Sequence, residues 1–162
     1  MAWAKNGTPD TLTSTGDSLI ISDLTAKTFN VLIGHVVSSS TDINRLSRFN
    51  SDTGSLYANR YSSNGGADAT SASGDTMFTN STGAQYNEFG IAYFISISGE
   101  EKLLISHACG DSASTGAGTA PDRRETVSKY VPSPDADITT INGLNSDVGD
   151  YIADSNISAL GT

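Results

Sequence analysis

Ile91-Ala92-Tyr93-Phe94-Ile95-Ser96-Ile97 is the stretch on which the fold turns. Ile91, Tyr93, Ile95 and Ile97 alternate with Ala92, Phe94 and Ser96. A period of two belongs to a β-strand, and here it predicts that the isoleucines and Tyr93 form the buried face. Short runs with the same β-branched and aromatic bias recur on both sides: Leu19-Ile20-Ile21, Phe29 to Val37, Leu103 to Ala108, Thr126 to Val131, Ile138 to Ile141 and Ile157 to Leu160. Residues 10–17, 38–42, 62–75, 110–121 and 132–137 are rich in Gly, Pro, Ser, Thr and Asp, which is the chemistry of turns, and read as loops. No stretch keeps a 3.6-residue period for three turns; only Asn80 to Glu88 tolerates a helical turn. Many short strands at this spacing predict an all-β chain, one β-sandwich domain over residues 1–162 of jelly-roll or lectin-like type. The closing Ile157 to Gly161 segment is expected to pair beside an N-terminal strand.

Composition points the same way. The 162 residues suit one domain with its own core, yet only 36% are hydrophobic and 17% charged, with 16 Gly, where helices would favour Ala, Leu, Glu and Lys. A net charge of -9 argues against nucleic acid and anionic membrane as partners, because such binding needs Lys and Arg to displace counterions. The single Cys109 allows no internal disulfide, so stability must come from packing or assembly. Met1-Ala2-Trp3-Ala4-Lys5-Asn6-Gly7 lacks the apolar core of a secretion signal, and no run approaches a membrane span; a soluble, non-exported chain is expected. The Asn-x-Ser/Thr patterns at Asn6, Asn80 and Asn156 carry no weight without such a signal.

Several short strings imitate catalytic signatures. Gly16-Asp17-Ser18-Leu19 has the letters of an esterase nucleophile, but the chemistry needs a His base late in the chain three residues after an Asp, and His35 and His107 fit neither condition. It reads as a turn leading into a strand. Asp52-Thr53-Gly54-Ser55 has the letters of an aspartic protease loop, but Asn50 and Ser51 precede it where apolar residues would bury the loop. That also reads as a turn. His107 and Cys109 supply two metal ligands where zinc needs three or four, and the carboxylates Asp135, Asp137, Asp147, Asp150 and Asp154 follow no calcium-loop spacing. No catalytic residue, metal site or cofactor is expected.

The best contact candidates lie in Arg48 to Gly66, expected to form two strands and their turns. Phe49, Asn50, Tyr57, Arg60, Tyr61 and Asn64 offer aromatic and Arg side chains with large contact area among small polar residues. Arg123 and Arg124, flanked by Asp122 and Glu125, are expected to pair with carboxylates locally or across a subunit contact.

The order of Met1-Ala2-Trp3, Gly16-Asp17-Ser18-Leu19, Arg48-Phe49-Asn50, Thr53-Gly54-Ser55, Tyr57-Ala58, Arg60-Tyr61-Ser62, Asn64-Gly65-Gly66, Glu101-Lys102-Leu103, the 116–121 loop with Arg124-Glu125, and the close from Ser155 to Gly161 resembles small β-sandwich virion proteins of marine tailed phages. The likeness covers nearly the whole chain. It implies a non-enzymatic structural role as a capsid decoration or accessory protein, made in the host cytoplasm and placed on the capsid exterior or tail. Its implied partners are other virion proteins, the major capsid protein first, and further copies of itself as a trimer or dimer. The alternative is a carbohydrate- or receptor-binding module, with a glycan stacked on Tyr57, Tyr61 or Trp3 and held by Asn50, Asp52 and Asn64.

Overall fold

Runs of alternating residues become strands wherever a neighbouring run can complete the hydrogen-bond ladder. The computed structural model describes residues 2–38, 42–80, 87–111, 116–132 and 136–162. Its strands are β1 (Ala4–Lys5), β2 (Asp10–Thr11), β3 (Ser18–Ile21), β4 (Phe29–Val37), β5 (Arg45–Phe49), β6 (Tyr57–Ser63), β7 (Ala69–Gly74), β8 (Met77–Phe78), β9 (Asn87–Ile95), β10 (Lys102–Asp111), β11 (Asp122–Tyr130), β12 (Ile141–Asn145) and β13 (Asn156–Gly161). No helix occurs among the described residues. The large sheet has nine strands, in the order β1-β13-β4-β9-β10-β11-β6-β7 with β2 also paired to β13; the small one is β3-β12-β5-β8. All the named pairings are antiparallel, and the sheets pack as a sandwich. The expected pairing of the two ends is present: Ala4 lies opposite Gly161 and Lys5 opposite Leu160.

The core lies between the sheets. Leu19 and Ile21 of β3, Phe49 of β5 and Ile141 of β12 meet Leu32, Val36, Phe94, Leu104 and Ile157 from the large sheet. Burying each such side chain contributes roughly 1.5–3 kcal/mol. At the centre the Phe49 ring sits 5.0 Å from Phe94 and 5.7 Å from Tyr130, while Tyr57 stacks on Tyr130 at 4.6 Å. The Tyr57 hydroxyl accepts the Phe49 N–H at 3.1 Å, and the Tyr130 hydroxyl donates to Asp52 at 2.9 Å, so neither phenol is stranded in the core.

A buried ion pair also links the two sheets. Arg45 projects from β5 onto the large sheet, its Nε 3.0 Å from Glu88 Oε1 and its Nη2 donating to Thr79 O at 2.8 Å. The guanidinium rests where Gly34 of β4 and Gly90 of β9 pair in register; a Cβ at either glycine would overlap it. Glycine is required there for space, not for an unusual backbone angle.

This arrangement reverses the burial expected for the 91–97 strand. Ala92 and Phe94 face the core at 2% and 3% exposure, whereas Tyr93 is 50% exposed and Ile91 and Ile95 are only half-buried. The inner positions of β9 are Glu88, Gly90, Ala92 and Phe94, and they meet the Arg45 and Phe49 side chains from the small sheet. Room for those two groups, not the hydrophobicity of β9 alone, decides which parity turns inward.

Other boundaries differ in smaller ways. Residues 62–75, expected as a loop, contain β7, whose Ala and Ser residues gave no apolar alternation but pair with β6. Ile138 is core without being in a strand, and β12 begins at Ile141 because the Asn50 side chain takes the Thr139 and Thr140 N–H groups. Most of the Asn80 to Glu88 segment and parts of the loops at 38–42, 110–121 and 132–137 lie outside the described residues.

Candidate functional site

Because the small sheet covers one face of the large sheet, the odd-numbered side chains of β9, β10 and β11 are left on the other. The register brings apolar residues of five strands into one row: Leu160 beside Val31, Val31 beside Tyr93, Tyr93 beside Ile105 and Ile105 beside Val127. Phe29 lies opposite Ile95 in the row on one side of it, and Ile33 opposite Ile91 and Ile91 opposite His107 in the row on the other side. Trp3, Phe29, Phe89, Tyr93, Leu103, Ile105 and Val127 are all about half exposed. Apolar side chains at this density on an open sheet face are the opposite of the usual polar exterior of an antiparallel sheet.

The face is grooved. One groove of ≈ 540 Å³ runs between Leu103 and Ile105 on one side and Ala58, Ala72 and Val127 on the other. A second of ≈ 300 Å³ lies across the same Leu103 and Ile105, bounded by Tyr93, Phe29 and Trp3. Charges stand at the rim in pairs: Lys129 with Glu101 at 3.2 Å, Arg123 with Glu125 at 2.5 Å and Arg60 with Asp68 at 3.7 Å. All are exposed pairs, worth little to stability, but they neutralise the rim.

Of the eight contact candidates, only Arg60 and Arg123 lie on this face, Arg60 in the lining of the larger groove. Phe49 and Tyr57, offered as contact candidates, are core residues at 0% and 1% exposure. Their aromatic size, which suggested contact area, is spent on the sandwich interior. Asn50, at φ 53°, is a staple: its Oδ1 accepts the Thr139 N–H at 2.8 Å and its Nδ2 donates to Asp137 O at 2.9 Å. Asn64, at φ 51°, holds the turn after β6 against β11, accepting the Arg123 N–H at 2.8 Å and donating to Asp122 Oδ1 at 2.8 Å. Tyr61 stands edge-on to Phe78 at 5.1 Å with the Arg124 guanidinium 4.9 Å from its ring centre. Arg124 donates to Asn80 Oδ1 at 2.7 Å, and desolvation lowers its pKa below the usual arginine value. These four are structural contacts within the chain.

The catalytic look-alikes stay apart. Ser18 opens β3 in the small sheet, while His35 and His107 sit on the outer side of the large sheet. His35 Nε2 is 2.8 Å from Asn87 Oδ1. Asp52 holds its own turn, accepting the Gly54 N–H at 2.8 Å. A hydrogen bond with Asp17, then the Asp17 charge, raises the pKa of the exposed Asp150, but no group of three or more His, Cys, Asp or Glu that could hold a metal occurs among the described residues. Asp135 lies outside them. Asn6 and Asn80 are buried at 2% exposure, so a glycan has no access to either.

Comparison with protein-family models, with curated proteins and with solved structures returned no match. The chemistry of the face therefore has to speak for itself, and it is that of apolar burial inside a neutralised polar rim.

Proposed function

We propose that this chain is a non-enzymatic structural protein that works by docking, with the outer face of its large sheet as the contact surface. One observation carries the reading: the apolar row of Tyr93, Ile105 and Val127, each about half exposed, on the face the small sheet leaves open. Contiguous apolar surface of more than a few hundred Å² is uncommon on a free monomer and marks interaction sites. The setting we propose is the one the resemblance implies, the exterior of a tailed-phage particle, as a capsid decoration or accessory subunit against the major capsid protein, or on the tail.

A glycan reading would use Trp3 and Tyr93 as stacking rings. Sugar recognition needs converging polar groups, however, and the exposed lining of both grooves is mostly apolar, while Lys129 and Arg60 in the larger one already face Glu101 and Asp68. Protein contact is favoured. Quantitative mass spectrometry of purified particles tests the proposal: the chain should be present at fixed stoichiometry, and Ile105→Lys should remove it. Full incorporation of that variant, or binding of the chain to a glycan array with no place on the particle, would overturn it.

A further inference from the structure

Leu103 and Ile105 form a ridge between two grooves, because both residues line both. We infer that a second copy of this chain covers the face, the two copies packed large sheet to large sheet about a two-fold axis, each ridge seated in the other's larger groove. The inference rests on the docking reading above and names its partner.

Shape is the first argument. An isologous contact requires one surface to carry both halves of the fit, so that residue i meets residue j and j meets i. Here the projecting and the receiving features are neighbours on one face: Ile105 projects, and Val127, Ala58 and Ala72 bound the space beside it.

Area is the second. Trp3, Phe29, Phe89 and Tyr93 are 45–50% exposed, and Leu103, Ile105 and Val127 49–53%. With about 100 Å² left on each aromatic and somewhat less on each aliphatic residue, the seven present about 650 Å², close to the ~800 Å² per partner of a stable interface.

Charge is the third. Two chains of net charge -9 repel over most approaches. On this face Arg60, Arg123 and Lys129 are each matched by Asp68, Glu125 and Glu101, so a second copy meets a neutral rim around an apolar centre. A strongly charged partner would find no counter-charge here.

The full chain provides its own reporter, since Cys109 is exposed on the same face, opposite Phe89 and Arg123 in register. Sedimentation velocity from about 1 to 100 µM, the range where interfaces of this size reveal themselves, is expected to show a monomer–dimer equilibrium, with thiol labelling of Cys109 slowing as the dimer forms. Ile105→Lys places like charges across the two-fold axis and should raise the dimer Kd at least about a hundredfold, with Cys109 then labelled at one rate at every concentration. Val127→Lys, from the groove wall, is the second variant should the first lower the thermal midpoint of the dilute protein. A dimer that persists in both folded variants would overturn the inference. So would a monomer at 100 µM with unprotected Cys109; if Ile105→Lys nevertheless abolishes incorporation into particles, the face docks on a different protein, and the docking reading survives the loss of the dimer.

Discussion

On β9, β10 and β11 the side chains that face the small sheet and those that face outward have exchanged their usual roles. Inward stand Glu88, Gly90, Lys102, Ser106, Thr126 and Ser128 among the core residues Ala92, Phe94, Leu104 and Tyr130. Outward stand Tyr93, Leu103, Ile105 and Val127 at about half exposure. Most of the inner polar groups are drawn into specific partners: Glu88 to Arg45, Ser128 Oγ to Asn59 at 2.6 Å, Ser106 Oγ to Phe78 O at 3.0 Å, and Lys102 Nζ to Glu100 O at 2.7 Å, whereas Thr126 Oγ1 has none among the described residues. The outer apolar groups keep about half of their surface open. A buried polar group with its partners is stable, and an apolar side chain in the open is poised for a partner. The difference teaches that burial on a strand follows what the opposing layer brings, and that the surplus apolar face records a contact outside the chain.

The inner face should break hardest. Glu88→Ala leaves the Arg45 guanidinium buried and uncompensated, so chemical denaturation should show a loss of about 3–5 kcal/mol, if the protein folds at all. Joint replacement, Arg45→Met with Glu88→Leu, should recover most of that loss by exchanging a buried ion pair for apolar packing. Phe49→Ala opens a cavity between Phe94 and Tyr130 and should cost about 3–5 kcal/mol by the same measurement. Gly90→Ala pushes a methyl against Arg45 and sits 3.0 Å from Thr79 O; about 1–3 kcal/mol is expected, the range for overfilling a packed site.

High pH separates the faces in a second way. Burial raises the pKa of Tyr57, Tyr130 and Tyr151 above the ordinary 10.0 of a free tyrosine. The folded chain thus keeps protons that the unfolded chain releases. Stability is whole below about pH 10 and falls as pH rises further, by roughly 1.4 kcal/mol per pH unit for each such tyrosine. Denaturant midpoints at pH 8 and pH 11 should show this slope, and Tyr151→Phe should reduce it. At neutral pH Tyr151→Phe should change stability by less than about 1 kcal/mol, since the Tyr151 hydroxyl is buried without a hydrogen-bond partner among the described residues. The outer face should respond least: Ile105→Lys alters the stability of the isolated monomer by no more than about 0.5 kcal/mol while removing association.

The sequence made the fold class legible because turn residues and β-branched runs alternate along it, and β4 matches its expected span, Phe29 to Val37, residue for residue. The short strands β1, β2 and β8 and the Ala/Ser strand β7 escaped notice, since two residues or a run of small ones carry no periodicity. The site escaped for a different reason. A period of two distinguishes two faces but does not say which is covered, and that depended on Arg45, distant in sequence from Glu88, Gly34 and Gly90 in the register it occupies. A signal was present nonetheless: Leu103-Leu104-Ile105 and Val31-Leu32-Ile33 are apolar at both parities, which means a strand apolar on both sides. Arg48 to Gly66 drew attention through its aromatics, whose rings went to the core, and through Asn50 and Asn64, which went to turns.

Neighbouring residues of one strand decide the account. In a Cys109→Ser background, Ala92→Cys and Tyr93→Cys can each be challenged with a thiol reagent in dilute, folded protein. The cysteine at position 93 should be labelled about as fast as an unfolded thiol, and the one at position 92 slower by orders of magnitude, reacting only through unfolding. Rapid labelling at 92 with protection at 93 would restore the isoleucine face to the core and contradict the inverted sheet on which the docking surface depends.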